Sequence, residues 1–295
     1  MASSMRIGLL STGIMGWPMA RRLAEAGHAV GAWNRSPGNA AALAGHGVAL
    51  AATPLAAVAE AEVVIGMLGS GPVCDAVLLA GGVLAAMRPG SLLAVMSSIP
   101  AEAARRHAGL AAARGVASLD APASGGERGA REGTLSIMAG GAEADFARAL
   151  PVFRPLGRAT HVGPAGAGQL AKLANQVIVA GSIATVAEAL LLAERGGADA
   201  GRVRDALLGG FAESTVLRQH ALRMIGRDFV PGGPAKYQVK DTGTALGLCA
   251  ALGLDLPVLR LVDRLFADMV AHGDGDLDHS AIIQELRRRN RLAMD

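Results

Sequence analysis

The stretch GAGQLAKLANQVIVAGSIATVAEALLLAER, residues 166–195, decides how the chain divides. It reads as one long helix. Its first turns carry Lys172, Asn175 and Gln176, whose i, i+3, i+4 spacing puts them on one face, with Leu170, Leu173, Ala174 and Val177 supplying apolar surface around them. From Val177 onward the sequence is apolar nearly all round, which predicts burial on every side. Ser182, Thr185 and Glu188 interrupt the run and leave it short of a bilayer span, so no membrane is expected. A buried helix that opens with a lysine needs a reason for it. Two readings stand: a site lysine held where the helix meets two domains, or a structural lysine paired to a carboxylate.

Upstream, strands and helices alternate. Arg6–Leu10 is a short apolar run followed by STGIMGWPMARRLAEAGH, residues 11–28, which predicts a strand, a glycine turn and a helix. Gly13 and Gly16 keep the spacing of the last two glycines in a GxGxxG fingerprint, and Ser11 holds the first position. Small residues there let the backbone approach a pyrophosphate that the helix N-terminus stabilises. Ser11, Thr12, Gly13, Ile14, Met15 and Gly16 are therefore candidate cofactor contacts, against the alternative of a tight turn with no ligand. The second strand, Ala29–Trp33, ends in Asn34, Arg35 and Ser36. No acidic residue stands there to grip ribose hydroxyls. An arginine beside Asn and Ser suits a 2′-phosphate and favours NADP over NAD, although an arginine after a strand is also an ordinary solvated turn residue.

Further strands are expected at Glu62–Leu68, closing with Met67 and Leu68, at Ser91–Met96, followed by Ser97 and Ser98, and at Val116–Leu119. Repeated strand–helix–strand units imply a parallel, doubly wound α/β sheet with its ligand at the strands' C-terminal ends. Ser97 and Ser98 either face that ligand or cap the next helix, which runs from about Pro100 to Arg114. In LDAPASGGERGAREGTLSIMAGG, residues 119–141, Ser124, Gly125 and Gly126 form a turn able to offer N–H groups and a hydroxyl to a carboxylate, or an ordinary glycine-rich loop. Thr134–Met138 reads as another strand.

Downstream the chain is helical to its end, with candidates at 200–208, 215–225, 236–252, 258–272 and 281–292. The composition shift near residue 164 sets domains at 1–164 and 165–295, the long helix (about 166–195) joining them. The segment DGDLDHSAIIQE, residues 274–285, places oxygens at calcium-loop positions, but His279 stands where glycine is needed; a loop in which Asp278 caps the last helix is expected instead. Seven scattered histidines show no ligand spacing, and no metal is expected.

With 51% hydrophobic and 18% charged residues among 295, the chain has ample core and is not disordered. A formal net charge of +3 suits an anionic substrate. Arg287, Arg288 and Arg289 are read as a solvated helix face rather than a nucleic-acid footprint. Lone Cys74 and Cys249 indicate neither a disulfide framework nor a zinc site. The segment MASSMRIGLL lacks the pattern of a signal peptide, so a cytoplasmic location is expected.

Four stretches together, GLLSTGIMGWPMA (8–20), residues 120–141, GAGQLAKLANQ (166–176) and Lys240-Asp241, resemble the β-hydroxyacid dehydrogenase family in order and spacing, over nearly the whole chain. KLANQVIVA and the later DHSA are most similar to its tartronate semialdehyde (2-hydroxy-3-oxopropionate) reductase branch; 3-hydroxyisobutyrate dehydrogenases form another. The resemblance implies an N-terminal Rossmann-type domain and an all-α C-terminal domain with the active site between them. It implies NADP- or NAD-dependent interconversion of a small anionic 3-hydroxy acid and its 3-oxo acid. Lys172 becomes the catalytic acid/base and Asn175 its neighbour; Ser124, Gly125 and Gly126 hold the substrate; Ser98 lies by the nicotinamide; Lys240 closes the site against substrate and cofactor. Ser11 and Val95, where the family commonly has Gly and Asp, are departures from its pattern. A catalytically silent dinucleotide-binding module and an imine reductase are rivals that Lys172 argues against. The Ala- and Leu-rich helical part predicts a homodimer or homotetramer.

Overall fold

Short, nearly continuous apolar runs with small or β-branched residues build the central sheet of a computed structural model that describes residues 4–36 and 38–293, apart from the side chains of residues 39 and 40. Strands β1 (Arg6–Leu10), β2 (Ala29–Trp33), β3 (Ala49–Leu50), β4 (Val63–Gly66), β5 (Leu92–Val95) and β6 (Ala117–Asp120) lie parallel in the order β3-β2-β1-β4-β5-β6. Both faces are covered. Ile7, Leu9, Val63, Ile65, Leu92 and Ala94 point into one core, while Leu10, Val64, Leu93 and Val95 point into the other. β4 and β5 are buried at every position, as central strands of a doubly wound sheet must be. Val95 is thus a core residue, whose place in this chain is explained by packing.

The covering helices are α1 (Gly16–Glu25), α2 (Gly38–Ala41), α3 (Pro54–Val58), α4 (Gly71–Cys74), α5 (Val83–Ala86), α6 (Ala101–Ala112), α7 (Gly126–Glu132) and α8 (Glu143–Phe153). The sheet is not purely parallel. β7 (Ala123–Ser124) and β6 pair antiparallel with β8 (Leu135–Gly140), and β9 (Gly157–Gly163) runs parallel to β8. Sequence reading finds β8 but not β3, β7 or β9. Two of these are two residues long, and β9, GRATHVG, alternates between exposed and half-buried residues without a buried apolar face.

The chain divides into two compact units, Met1–Lys172 and Leu173–Asp295. The division falls inside the long helix α9 (Ala167–Arg195), eight residues beyond the expected boundary, because the first turn of α9 is hydrogen-bonded into the sheet unit (below). The helical unit adds α10 (Ala200–Leu207), α11 (Thr215–Gly226), α12 (Ala235–Ala251), α13 (Pro257–Met269) and α14 (Ile282–Arg289), all five of the expected helices. Its core joins Ile183, Ala187 and Leu190 of α9 to Ala221, Phe266 and Ile282.

The expectation that α9 is buried all round is wrong. Its buried stripe is Ala180, Ile183, Ala184, Ala187, Leu190 and Leu191, whereas Ile178 is 68% exposed and Leu192 76%. The helices of this unit cover one side of α9 and leave the opposite apolar side open. The length judgement also needs correcting: its 29 residues, with a mean hydropathy of 1.8 in the best window, are enough by length and composition to cross a membrane.

Of the arginine triple, read as a solvated face, only Arg289 is exposed; Arg287 and Arg288 are half-buried, and all three are paired to carboxylates. Arg287 pairs with Glu194 at 2.5 Å, Arg289 with Asp268 at 2.6 Å, and Arg288 with both Asp274 and the buried Glu285. Asp278 does cap, with Ser280 N–H at 3.0 Å opening the short turn His279–Ala281 that runs into α14. It also accepts the Gly232 and Gly233 N–H groups at 2.9 and 3.0 Å.

Candidate active site

The strand order reverses between β1 and β4, the place where an open α/β sheet leaves a crevice at its C-terminal edge. Five parallel strands deliver candidate residues to that edge: Ser11–Gly16 after β1, Asn34–Ser36 after β2, Met67 and Leu68 after β4, Ser97 and Ser98 after β5, and Asp120 at the end of β6.

At the first of these the chain must turn sharply into α1. Ser11 takes it with φ +82, in the left-handed region that glycine enters freely, and donates its N–H to the Trp33 carbonyl at 2.8 Å. A side chain on Gly16 would overlap the Ser11 carbonyl oxygen, whereas a Cβ on Gly13 would meet nothing closer than Ser11 Oγ at 3.8 Å. Thr12 donates its N–H to Asn34 Oδ1 at 3.0 Å, and Asn34 Nδ2 donates to the Ser36 carbonyl at 2.8 Å. The Asn34 side chain therefore braces the turn after β1 against the end of β2 and leaves Arg35 exposed beside it. The buried Thr12 Oγ1 has no hydrogen-bond partner among the described residues, and α1 has no acidic residue in its first turn to compete with an anion. Ile14 is 67% exposed and Met15 half-buried.

Replacing Ser11 by glycine is expected to raise the melting temperature by about 2 °C: relief of left-handed strain of about 1–2 kcal/mol outweighs the added freedom of the unfolded chain. A fall in the melting temperature would show instead that the Ser11 hydroxyl stabilises the turn.

Neither Ser97 nor Ser98 caps α6, whose N-cap is Pro100 without a side-chain bond. The Ser97 hydroxyl is buried, accepting the Leu68 N–H at 2.7 Å and donating to the Gly66 carbonyl at 3.2 Å, which locks the ends of β4 and β5 together. Ser98 and Met67 are half-buried.

The first turn of α9 is pressed onto the same edge. The buried Asp120 carboxylate accepts the N–H of Gly166 at 2.7 Å and of Gln169 at 2.8 Å. Burial pushes its pKa above the usual carboxylate value, and these N–H bonds pull the other way. A Cβ on Gly168 would overlap the carbonyl oxygens of Asp120 and Met138, and one on Gly140 would sit 2.6 Å from Asp120 Oδ1. Only glycine at both positions lets helix and sheet meet so closely. Gln169 Oε1 accepts the Ile99 N–H at 3.0 Å and its Nε2 donates to the Ser97 carbonyl at 2.9 Å. Lys172, half-buried, follows one turn later. The Ser124–Gly126 loop is special backbone: Gly125 and Gly126 have φ +134 and +60, both exposed, with Ser124 half-buried.

In the helical unit, Asn175 Nδ2 donates to Gln176 Oε1 at 2.9 Å, and Gln176 Nε2 donates to Asp241 Oδ2 at 2.6 Å. Lys240 Nζ pairs with Asp241 Oδ1 at 3.1 Å. Asp241 thus joins Asn175's neighbour to Lys240. Sequence reading missed Asp120, Gln169 and Asp241 as site-building residues. Asp120 was signalled by its place at a strand's C-terminal end, and Gln169 by standing three residues before Lys172.

Residues 6–163 match the family described as the NAD-binding domain of 6-phosphogluconate dehydrogenase, and residues 166–286 match the NAD-binding family of NADP-dependent 3-hydroxyisobutyrate dehydrogenase. The 2-hydroxy-3-oxopropionate reductase of Escherichia coli (strain K12) is 43% identical over 98% of this chain and 100% of its own length. The chain belongs to the β-hydroxyacid dehydrogenase family. This β-hydroxyacid dehydrogenase is also similar to the probable mitochondrial 3-hydroxyisobutyrate dehydrogenase-like 1 of Arabidopsis thaliana, 35% identical over 99% of the chain and 88% of the relative. Among solved structures it is similar to the Mycobacterium tuberculosis 3-hydroxyisobutyrate dehydrogenase with L-serine, with a TM-score of 0.88 and 37% identity over 97% of this chain and 100% of that one. It is an NAD(P)-dependent enzyme acting on a hydroxy acid. The residues present fit the cofactor: the space over Gly13 is open, the Thr12 hydroxyl is orphaned, and the α1 N-terminus is free of acids.

Proposed function

We propose that this β-hydroxyacid dehydrogenase is an NADPH-preferring reductase of a small 3-oxo acid, tartronate semialdehyde (2-hydroxy-3-oxopropionate), working reversibly on the 3-hydroxy acid. The observation that supports the chemistry is the docking of α9: Asp120 and Gln169 bind its first turn to the C-terminal edge of the sheet, Gln169 through the backbone groups on either side of Ser98, with Lys172 one turn on. Kinship over the full length of the Escherichia coli reductase supports the choice of acid.

Ser11–Gly16, Asn34–Ser36, Met67, Leu68, Ser98 and Lys240 would hold the cofactor, with Ser98 beside the nicotinamide, which would supply the hydride. Ser124 and the N–H groups of Gly125 and Gly126 hold the substrate carboxylate, with Lys240 as counter-charge. The Lys172 ammonium hydrogen-bonds the substrate carbonyl oxygen. As the carbonyl carbon gains the hydride and negative charge grows on that oxygen, Lys172 stabilises the charge and gives it a proton, then regains one from water. Asn175, one turn along α9, orients the ammonium or the substrate hydroxyl.

Preference for NADPH rests on Arg35, exposed at the end of β2 where no acidic residue stands. Arg35→Ala is expected to raise KM for NADPH by roughly 10–100-fold, the loss of a charge-assisted phosphate pair, while leaving KM for NADH nearly unchanged. Parallel loss with both cofactors would remove Arg35 from the 2′-phosphate.

The deciding experiment follows oxidation of NADPH and NADH with tartronate semialdehyde and with methylmalonate semialdehyde. Faster turnover of the first with NADPH supports the reading. Preference for the second makes the enzyme a 3-hydroxyisobutyrate dehydrogenase, which the likeness to the Mycobacterium tuberculosis enzyme favours. Cofactor binding without turnover on either acid, or on related oxo acids, would leave a silent binding module. The same proposal includes a cytoplasmic enzyme assembled as a homodimer or homotetramer, supported by the apolar side of α9 left open at Ile178 and Leu192 and checked by light-scattering mass.

A further inference from the structure

Gln169 is 1% exposed, and a buried carboxamide is costly unless both its ends are hydrogen-bonded. Its partners are not scattered. Oε1 takes the N–H of Ile99 and Nε2 gives to the carbonyl of Ser97, the two backbone groups on either side of Ser98. The backbone N–H of the same residue is held by Asp120 Oδ2. One side chain therefore grips the segment that presents Ser98, from within the helical turn that precedes Lys172.

We infer that Gln169 is a positioning residue that sets the register of Lys172 against Ser98; the inference rests on the role proposed above for Lys172. An amide is planar, with donor and acceptor a fixed distance apart. Pairing both to one backbone segment fixes the rotation of α9 about its axis as well as its distance from the sheet. Asp120 alone binds N–H groups that line up along the helix axis, which holds the helix end but controls its rotation less. The reaction is sensitive to this register because hydride carbon and proton donor must meet the two ends of one carbonyl bond at once, and a misplacement of about 1 Å costs on the order of 10²-fold in rate.

Two substitutions test it, with kcat measured well below each variant's melting temperature. Gln169→Leu keeps the bulk and removes both bonds; kcat falls about 10²-fold at every pH while KM for NADPH stays within about threefold of wild type. Gln169→Glu is the conditional rescue. A protonated carboxyl offers one O–H donor and one carbonyl acceptor, the pattern of the amide, whereas the ionised form offers acceptors only and opposes the Ser97 carbonyl. Burial raises the pKa of that carboxyl, so the ratio of variant to wild-type kcat climbs as pH falls through it and drops to the leucine level above it. A space-filling role would shift melting temperatures without this pH-dependent ratio in kcat.

If wild type turns over, Lys172→Ala does not, and Gln169→Leu keeps kcat within about threefold, the positioning role is overturned and the functional reading survives. A loss confined to KM for NADPH overturns the positioning role in the same way. If wild type binds NADPH yet reduces no oxo acid, the functional reading falls and this inference with it. Should Gln169→Leu fail to fold, the pH ratio of Gln169→Glu decides alone, a flat ratio overturning the inference.

Discussion

Lys172→Ala is expected to lower kcat for reduction of the 3-oxo acid by roughly 10²–10⁴-fold while NADPH still binds. Alanine is the best helix former, so α9 persists and the loss reports chemistry rather than unfolding. Lys172→Arg separates two contributions. Arginine keeps a positive charge near the developing oxyanion but holds its proton too tightly to donate it, so recovery stays small if proton transfer dominates and is large if the charge alone does the stabilising. Single-turnover absorbance of the reduced nicotinamide reads both variants; retention of activity within about tenfold in Lys172→Ala would pass the acid role to another group.

Gly16→Ala is expected to be strongly destabilising for a single added methyl. The new Cβ would overlap the Ser11 carbonyl oxygen, a backbone atom that cannot swing aside as a side-chain tip would. Ser11 already occupies a left-handed conformation and is tied to Trp33, and the neighbouring Thr12 is tied to Asn34. The turn has no slack. A destabilisation of about 3 kcal/mol or more follows, a fall in melting temperature on the order of 6–12 °C, with NADPH affinity lost as the α1 N-terminus moves. Gly13→Ala is the contrasting control. Its Cβ makes only an ordinary contact, 3.8 Å from Ser11 Oγ, so the melting temperature should hold while NADPH binding weakens, because the space over Gly13 is the approach path for the phosphates. Equal stability losses in the two variants would mean that Gly16 is not the contact that shapes the turn.

The metal question shows where spacing along a chain misleads in both directions. The acidic run 274–285 imitates a calcium loop, yet Asp278 there spends its oxygens on the Gly232, Gly233 and Ser280 N–H groups, with Arg223 3.6 Å away. His220 and His279 have no motif spacing, yet their Nε2 atoms lie 2.7 Å apart beside that carboxylate, and burial holds the pKa of His279 down at about 4. With the carboxylate already satisfied and a guanidinium alongside, the trio ties α11 to the segment before α14.

Local physics made much of this protein legible from residues alone. Buried runs such as Val63–Ile65 and Leu92–Val95 can only be central strands, the turn at Gly13 and Gly16 needs small residues wherever it folds, and helix periodicity puts Lys172 one turn from Asn175. Tertiary structure decided what depends on groups distant in sequence. Asp120 and Gln169 are ordinary polar residues until Gly166, Ser97 and Ile99 arrive beside them, and only then do they anchor the first turn of α9 and move the division of the chain to Lys172. Strands of two residues carry too few side chains to show a period, and an apolar helix does not say which of its sides neighbours will cover. Hydrogen-bond satisfaction and close packing are properties of the assembled neighbourhood, and that neighbourhood is set by the fold.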